Sequence, residues 1–195
     1  MSTALVTAPT KEPISLAEAK LHLRLPVDFL DDDILVERLI QTARERAENI
    51  TRRRYITQTW DYFLDDWPDE DYIEVPFPPL LSVTTVKYKD SDGTQTTWAA
   101  TNYIVDIKAE PGRVVLADGI SWPSDSLYPS NPIEVRFVCG YGATLDMVPA
   151  NIKSAMLLMV GELYERREEA IVGQGINQVE LSTEALLYSY RIFGF

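Results

Sequence analysis

The spacing of apolar positions changes twice along the chain. Leu16, Ala19 and Leu23 lie on one face at a helical step. Ser15 with Glu18 forms a capping box: the hydroxyl accepts from the third helical amide, and the carboxylate reaches back to the cap. Pro26 ends this short helix. Val36, Leu39, Ile40, Ala43, Ala47 and Ile50 then recur at steps of three and four, while Glu37, Arg38, Arg44, Glu45 and Glu48 are assigned to the opposite face. Asp31 to Asp33 suit the positive end of this second helix, and Arg52, Arg53 and Arg54 suit its negative end. The pattern predicts helices over 15–24 and 30–52.

From Tyr55 to Tyr141 the period shortens to two. Trp60, Tyr62 and Leu64 alternate, and Ser82 to Lys89 is rich in β-branched residues. Asp90 to Gly93 reads as the turn of a hairpin whose return strand is Thr94 to Ala99. Tyr103 to Ile107, Arg113 to Leu116 and Ile133 to Val138 are further strands, punctuated by prolines. Pro149 then opens a third helix, 149–167, on Ile152, Ala155, Met156, Met159 and Leu163. Gly173-Gln174-Gly175 breaks it, and an apolar, aromatic terminus follows.

This order predicts an α+β fold: N-terminal helices and a long C-terminal helix packed with a small antiparallel β-domain, barrel or sandwich, plus an extended apolar C-terminal arm. Residues 1–12 read as a flexible lead, 13–171 as the domain with a β-rich insert at 55–141, and 172–195 as the arm.

Charge narrows the range of partners. The 195 residues hold 18 basic and 30 acidic side chains, a net charge of −12. Such a chain is ill suited to gripping phosphates, since non-specific nucleic-acid affinity comes from Lys and Arg. The excess is local: residues 55–148 carry five basic and fifteen acidic side chains, and seven acids without one Lys or Arg fall between Tyr55 and Val86. That stretch is either solvated surface or a face that repels polyanions or meets a basic partner, with Asp65, Asp66, Asp69, Glu70 and Asp71 as the candidates. Nothing at the start of the chain reads as a secretory signal, and the longest apolar run, Ala155 to Val160, is far too short for a membrane span. The expectation is a soluble protein of a reducing compartment.

The residues offer little to catalysis. His22 is the sole histidine and has no marked partner, and Cys139 is the sole cysteine, placed at an apolar strand end. A disulfide within the chain and multi-Cys or paired-His metal sites are thereby excluded. Asp90-Ser91-Asp92-Gly93 opens like a calcium loop, but position twelve is Thr101 rather than Glu and the flanks read as strands. Gly140-Tyr141-Gly142 lacks the strand–glycine–helix context of a dinucleotide site. No enzyme, cofactor or metal is expected.

Several segments, taken in order, resemble the head–tail connector (adaptor or head-completion) proteins of tailed bacteriophages and phage-derived gene transfer agents. They begin with Pro13 to Lys20, His22-Leu23-Arg24, Asp31 to Asp33, and Ala43-Arg44, Ala47-Glu48, Thr51 and Arg53 on the second helix. Pro79-Leu80, Val83, Val86, Tyr88, Asp90, Gly93, Tyr103, Val105-Asp106, Trp122-Pro123, Val135, Phe137 and Gly140 to Gly142 continue the pattern. Pro149, Ile152-Lys153, Ala155 and Tyr164-Glu165 with Arg167-Glu168 complete it, so that the resemblance spans residues 13–168.

The resemblance implies a non-enzymatic virion protein at the head–tail junction, assembled in the bacterial cytoplasm. It would form a ring, usually dodecameric, under the portal of a DNA-filled capsid. It would extend the DNA channel and carry the stopper or tail component. DNA would pass without tight binding. For that role, Leu186, Leu187, Tyr188, Tyr190, Ile192, Phe193 and Phe195 are the portal-docking candidates. Glu37, Arg38, Arg44, Glu48, Arg52, Arg53 and Arg54 are the subunit-interface candidates. Two alternatives stand beside it. One is a stopper or tail-completion protein of the same particle. The other is a β-rich glycan binder whose Trp60, Trp67, Trp98 and Trp122 stack on sugars.

Overall fold

The computed structural model describes residues 1–166 and 177–193. The chain divides into two compact units. One is built from Met1–Pro9 and Thr57–Tyr141, the other from Thr10–Ile56 and the described residues from Gly142 onward.

The first unit holds two antiparallel sheets. Five strands, β1 (Ser2–Thr7), β2 (Gln58–Leu64), β4 (Leu80–Lys89), β5 (Gln95–Trp98) and β8 (Ile133–Cys139), lie in the order β1-β2-β8-β4-β5. The other three, β3 (Tyr72–Val75), β6 (Tyr103–Asp106) and β7 (Gly112–Leu116), lie in the order β3-β7-β6. β8 is the centre of the larger sheet. Its Ile133, Val135, Phe137 and Cys139 are all buried, and the residues between them are half-buried, as strict alternation requires. Phe137 is paired with Trp60 on β2 and with Val83 on β4. One core, including Tyr62, Ile73, Val86, Tyr103 and Val114, draws side chains from both sheets. Of the barrel and sandwich the sequence allowed, the barrel is not formed, because two separate sheets share this core.

The segment expected to be a flexible lead instead forms β1, on the edge of the larger sheet. All six of its residues are exposed, so no apolar alternation could announce it; main-chain pairing with β2 holds it in place. The hairpin joining β4 and β5 turns where the sequence placed it. Asp90 Oδ1 accepts from the Asp92 and Thr94 amides, and Gly93 takes the positive φ the turn needs. The aspartates that resembled a calcium loop thus serve a turn.

The second unit is helical, with α1 (Leu16–His22), α2 (Asp33–Thr51), α3 (Ala150–Glu165) and α4 (Asn177–Tyr188) among the described residues. The capping box is present: the Glu18 amide donates to Ser15 Oγ at 3.1 Å, and the Ser15 amide donates to Glu18 Oε2 at 2.8 Å. Val36, Ile40, Ala43 and Ala47 form the buried stripe of α2, and Ile152, Ala155, Met156 and Met159 that of α3.

Two expectations need correction. Arg44 and Glu48, assigned to the outer face of α2, are buried, because each flanks the alanine stripe and the two pair with one another. The terminus expected to be an extended arm contains helix α4, which packs on α3 and α2, so Leu186, Leu187 and Tyr188 follow a helical path, while Tyr190, Ile192 and Phe193 lie beyond the helix.

Gly112 of β7 lies directly against Leu80 of β4. A methyl group there would lie 2.4 Å from Leu80 Cβ, far inside van der Waals contact. Gly112→Ala is expected to destabilise the first unit by about 1–3 kcal/mol, the range for overpacking a core. Denaturant unfolding followed by tryptophan fluorescence measures it.

Candidate docking surfaces

The C-terminal end of α2 gathers several of the residues singled out from sequence. Arg44 Nε donates to Glu12 Oε2 at 2.8 Å and Arg44 Nη1 to Glu48 Oε2 at 3.1 Å. Glu48 Oε1 accepts from the Tyr55 amide at 3.0 Å. Burial pushes the Glu48 carboxyl above its ordinary range, opposed by the Tyr55 amide and by the Arg44 and Arg54 charges. Arg52 turns the chain out of the helix with a left-handed φ of 56°, and Arg53 Nε then donates to the Tyr190 carbonyl at 2.5 Å. The Ile192 amide donates to the Thr51 carbonyl at 3.1 Å. The end of α2 is therefore where the C-terminal segment is tied down.

Of the seven interface candidates, Arg44, Glu48, Arg53 and Arg54 are buried inside this unit, while Glu37, Arg38 and Arg52 are exposed. Of the seven tail candidates, Leu187 is fully buried, Leu186, Tyr190 and Ile192 are half-buried, and Tyr188 and Phe193 are exposed. Phe195 lies outside the described residues. Tyr188 and Phe193 pack edge to face at 6.0 Å, and the Arg191 guanidinium covers the Phe193 ring at 5.4 Å.

The acidic candidates occupy the connection between β2 and β3. Asp65, Asp66, Asp69, Glu70 and Asp71 are all exposed. Several of their acceptors order the loop: Asp65 Oδ1 accepts from the Asn131 amide, Asp66 Oδ1 from the Trp67 amide, and the Glu70 carbonyl from Trp122 Nε1. The Asn131 amide also holds the Asp65 carboxyl below its ordinary range. Beside this loop lies a cleft of about 530 Å³ walled by Asp65, Trp67, Trp122, Asp125 and Tyr128 among others. The tryptophans offered to sugars are occupied with one another. Trp67 stacks on Trp122 at 5.0 Å and meets Trp98 at 5.8 Å, while Trp60 packs on Phe77. Trp67 and Trp122 also wall the cleft.

Sequence reasoning passed over one element of the helical unit. Lys20 is buried, and its Nζ donates to the Val27 and Phe29 carbonyls and to Asp33 Oδ1 at 3.1, 2.5 and 2.8 Å. It pins the loop between α1 and α2. Tyr164 at the end of α3 donates to Asp32 in the same region. The signal was a lysine in the middle of a predicted apolar stripe. Among the described residues no His, Cys, Asp or Glu group could hold a metal ion, and no helix is long and apolar enough to cross a membrane.

Residues 13–103 match the family model described as Phage gp6-like head-tail connector protein. Over that span the chain resembles the phage head–tail connectors. The matched span runs through α1, α2 and β2 to β5, and is shorter than the 13–168 of the sequence resemblance. Three solved structures share the fold over the whole chain. A chain in the neck of an empty gene transfer agent (GTA) particle computed with C6 symmetry has a TM-score of 0.82 at 24% identity. One in the virion of a native GTA particle has 0.78 at 24%, and one in the neck of a native GTA particle computed with C12 symmetry has 0.79 at 22%. Each likeness covers 100% of this chain and 97% of the other. Comparison with curated proteins finds no match. The matched family is one of structural head–tail connectors.

Two substitutions test how the end of α2 is built. Leu187→Ala is expected to cost about 2–5 kcal/mol, as for other buried leucines, and to lower the melting temperature of the helical unit. Glu48→Ala leaves the buried Arg44 charge with less compensation and is expected to cost about 3–5 kcal/mol. Chemical denaturation monitored by far-UV circular dichroism reads both.

Proposed function

We propose that the chain is a head–tail connector of a phage or gene transfer agent particle. Copies of it form a ring, with twelve members as the expected number, under the portal of a DNA-containing capsid. The ring extends the DNA channel and offers its far side to a stopper or tail component. The protein is a virion component of the neck. The observation that carries this reading is the connector-family match over 13–103, on a chain whose whole fold follows that of GTA neck chains. The symmetric necks in which two of those chains sit, C6 and C12, suit a ring of identical copies.

The charge supports the same role. Every phosphate neutralised by Lys or Arg adds affinity through counterion release, and a ring would multiply that drag on moving DNA. A subunit of −12, with exposed acids at 65–71, avoids it. The stopper and tail-completion roles remain neighbours of this one in the same particle, and attachment to the portal separates them.

Native mass spectrometry of the chain mixed with its portal protein is expected to show a ring of copies on the portal. A complex of one chain per portal subunit without contacts between copies would overturn the ring. In a gel-shift assay near physiological salt, micromolar protein is expected to leave duplex DNA unshifted. A salt-sensitive shift would show that the acidic surface does not govern the channel.

A further inference from the structure

The cleft beside the connection from β2 to β3 carries one sign of charge. It holds about 530 Å³, and its walls include Asp65, Asp66 and Asp125 together with Trp67, Trp122 and Tyr128. No Lys or Arg is among the described residues that line it. Lys89 runs close by, since its carbonyl accepts from the Tyr128 amide. The preceding Tyr88 is the residue that meets Trp67, at 5.9 Å, so strand alternation turns Lys89 to the other face of the sheet. One cation approaches: the Met1 ammonium lies 3.6 Å from Asp65 Oδ2, with both groups exposed. The rings differ in what they have left to offer. Trp67 and Trp122 stack on one another, and Trp122 Nε1 donates to the Glu70 carbonyl, so these two form a fixed wall. Tyr128 is 44% exposed. The carboxylates are held in place without being saturated. Asp66 Oδ1 accepts from the Trp67 amide at 2.8 Å and Asp125 Oδ2 from the Tyr88 hydroxyl at 3.2 Å, which leaves each a second oxygen.

We propose that this cleft seats an arginine side chain presented by another protein. A guanidinium is planar, so it can lie on the Tyr128 ring and donate within its own plane to carboxylate oxygens. Three carboxylates with no base among them attract a cation and repel a phosphate, and a neutral sugar gains nothing from the charge. Among the described residues no acidic group is arranged to hold a metal ion, which leaves an organic cation. An ammonium would meet the same charge, but as a compact, strongly hydrated point it gains less from an aromatic ring. The inference goes beyond the connector reading. It gives the acidic loop a partner of stated chemistry, and it holds whether or not copies of the chain form a ring.

Calorimetric titration of the full chain with the blocked peptide acetyl-Gly-Arg-Gly-Arg-Gly-amide tests it. The arginine peptide is expected to bind, the version with Glu in place of Arg to leave no signal, and the Lys version to bind about threefold more weakly. Asp125→Asn, which keeps an acceptor for the Tyr88 hydroxyl, and Tyr128→Leu, which keeps apolar bulk but no ring, are each expected to weaken binding about threefold or more. Asp118→Asn removes the same charge from an exposed position outside the cleft and is expected to change nothing. Unchanged melting temperatures verify the folds, and if Tyr128→Leu fails to fold, Asp125→Asn against Asp118→Asn still decides. No binding at about 1 mM arginine peptide would overturn the site. So would equal losses from Asp118→Asn and Asp125→Asn, which would mean attraction to the whole acidic chain. Equal binding of the Lys peptide would overturn the choice of guanidinium, and binding of maltohexaose in its place would return the rings to sugars. The connector reading fails separately, through a chain that seats the peptide yet leaves its portal untouched.

Discussion

The helical unit is tied together by an ionic cluster, Glu12–Arg44–Glu48, whose Arg44 and Glu48 are buried and whose last member is closed by the Tyr55 amide. Taking Arg44 and Glu48 out of water is costly, and the cost is offset where Arg44 reaches Glu12 and Glu48 and where Glu48 also accepts from the Tyr55 amide. Its members come from the segment before α1, from α2 itself and from the turn after it. Satisfying the cluster therefore fixes three stretches of chain at once. The turn in turn presents Thr51 and Arg53 to the C-terminal segment, so the seat of α4 and the residues after it follows from the same arrangement. The cluster thus ties α2 to the segment before α1 and to the turn after it, while the apolar stripes pack α2 on α3.

The parts of the fold legible in the sequence are those where one face is buried and the other wet. The stripes of α2 and α3, the capping box at Ser15 and the alternation of β8 all meet that condition. β1 and α4 escaped for opposite reasons. β1 is exposed on both faces, so its side chains carry no period. Leu187 of α4 is buried, but the sequence around it is evenly apolar and aromatic near the terminus, which reads as readily as an arm. The outer-face assignment of Arg44 and Glu48 followed from residue type alone, and a charged pair that satisfies itself defeats that rule.

The candidate surfaces were legible to a similar degree. The exposed acids at 65–71 and the apolar terminus stand out by composition. What composition hides is which side chains the fold consumes. Leu187 and Arg53 are spent inside the protomer, and three of the four tryptophans are spent on one another. The Lys20-pinned loop is the converse case: it stands out only once the lysine is seen to bond two carbonyls, because Val27, Leu30 and Ile34 otherwise read as ordinary helix-start residues.

Self-assembly of so acidic a chain sets a limit on where contacts fall. Copies at −12 repel, but at physiological ionic strength that repulsion is screened beyond about 8 Å, so the sign of charge at the contact itself decides whether two copies can close. The acidic excess is concentrated in residues 55–148, whereas residues 1–54 are balanced at nine and nine. Attraction between copies of the proposed ring would therefore be least opposed in the helical unit. In the proposed ring, repelling DNA and joining neighbours would then fall on different stretches of the chain.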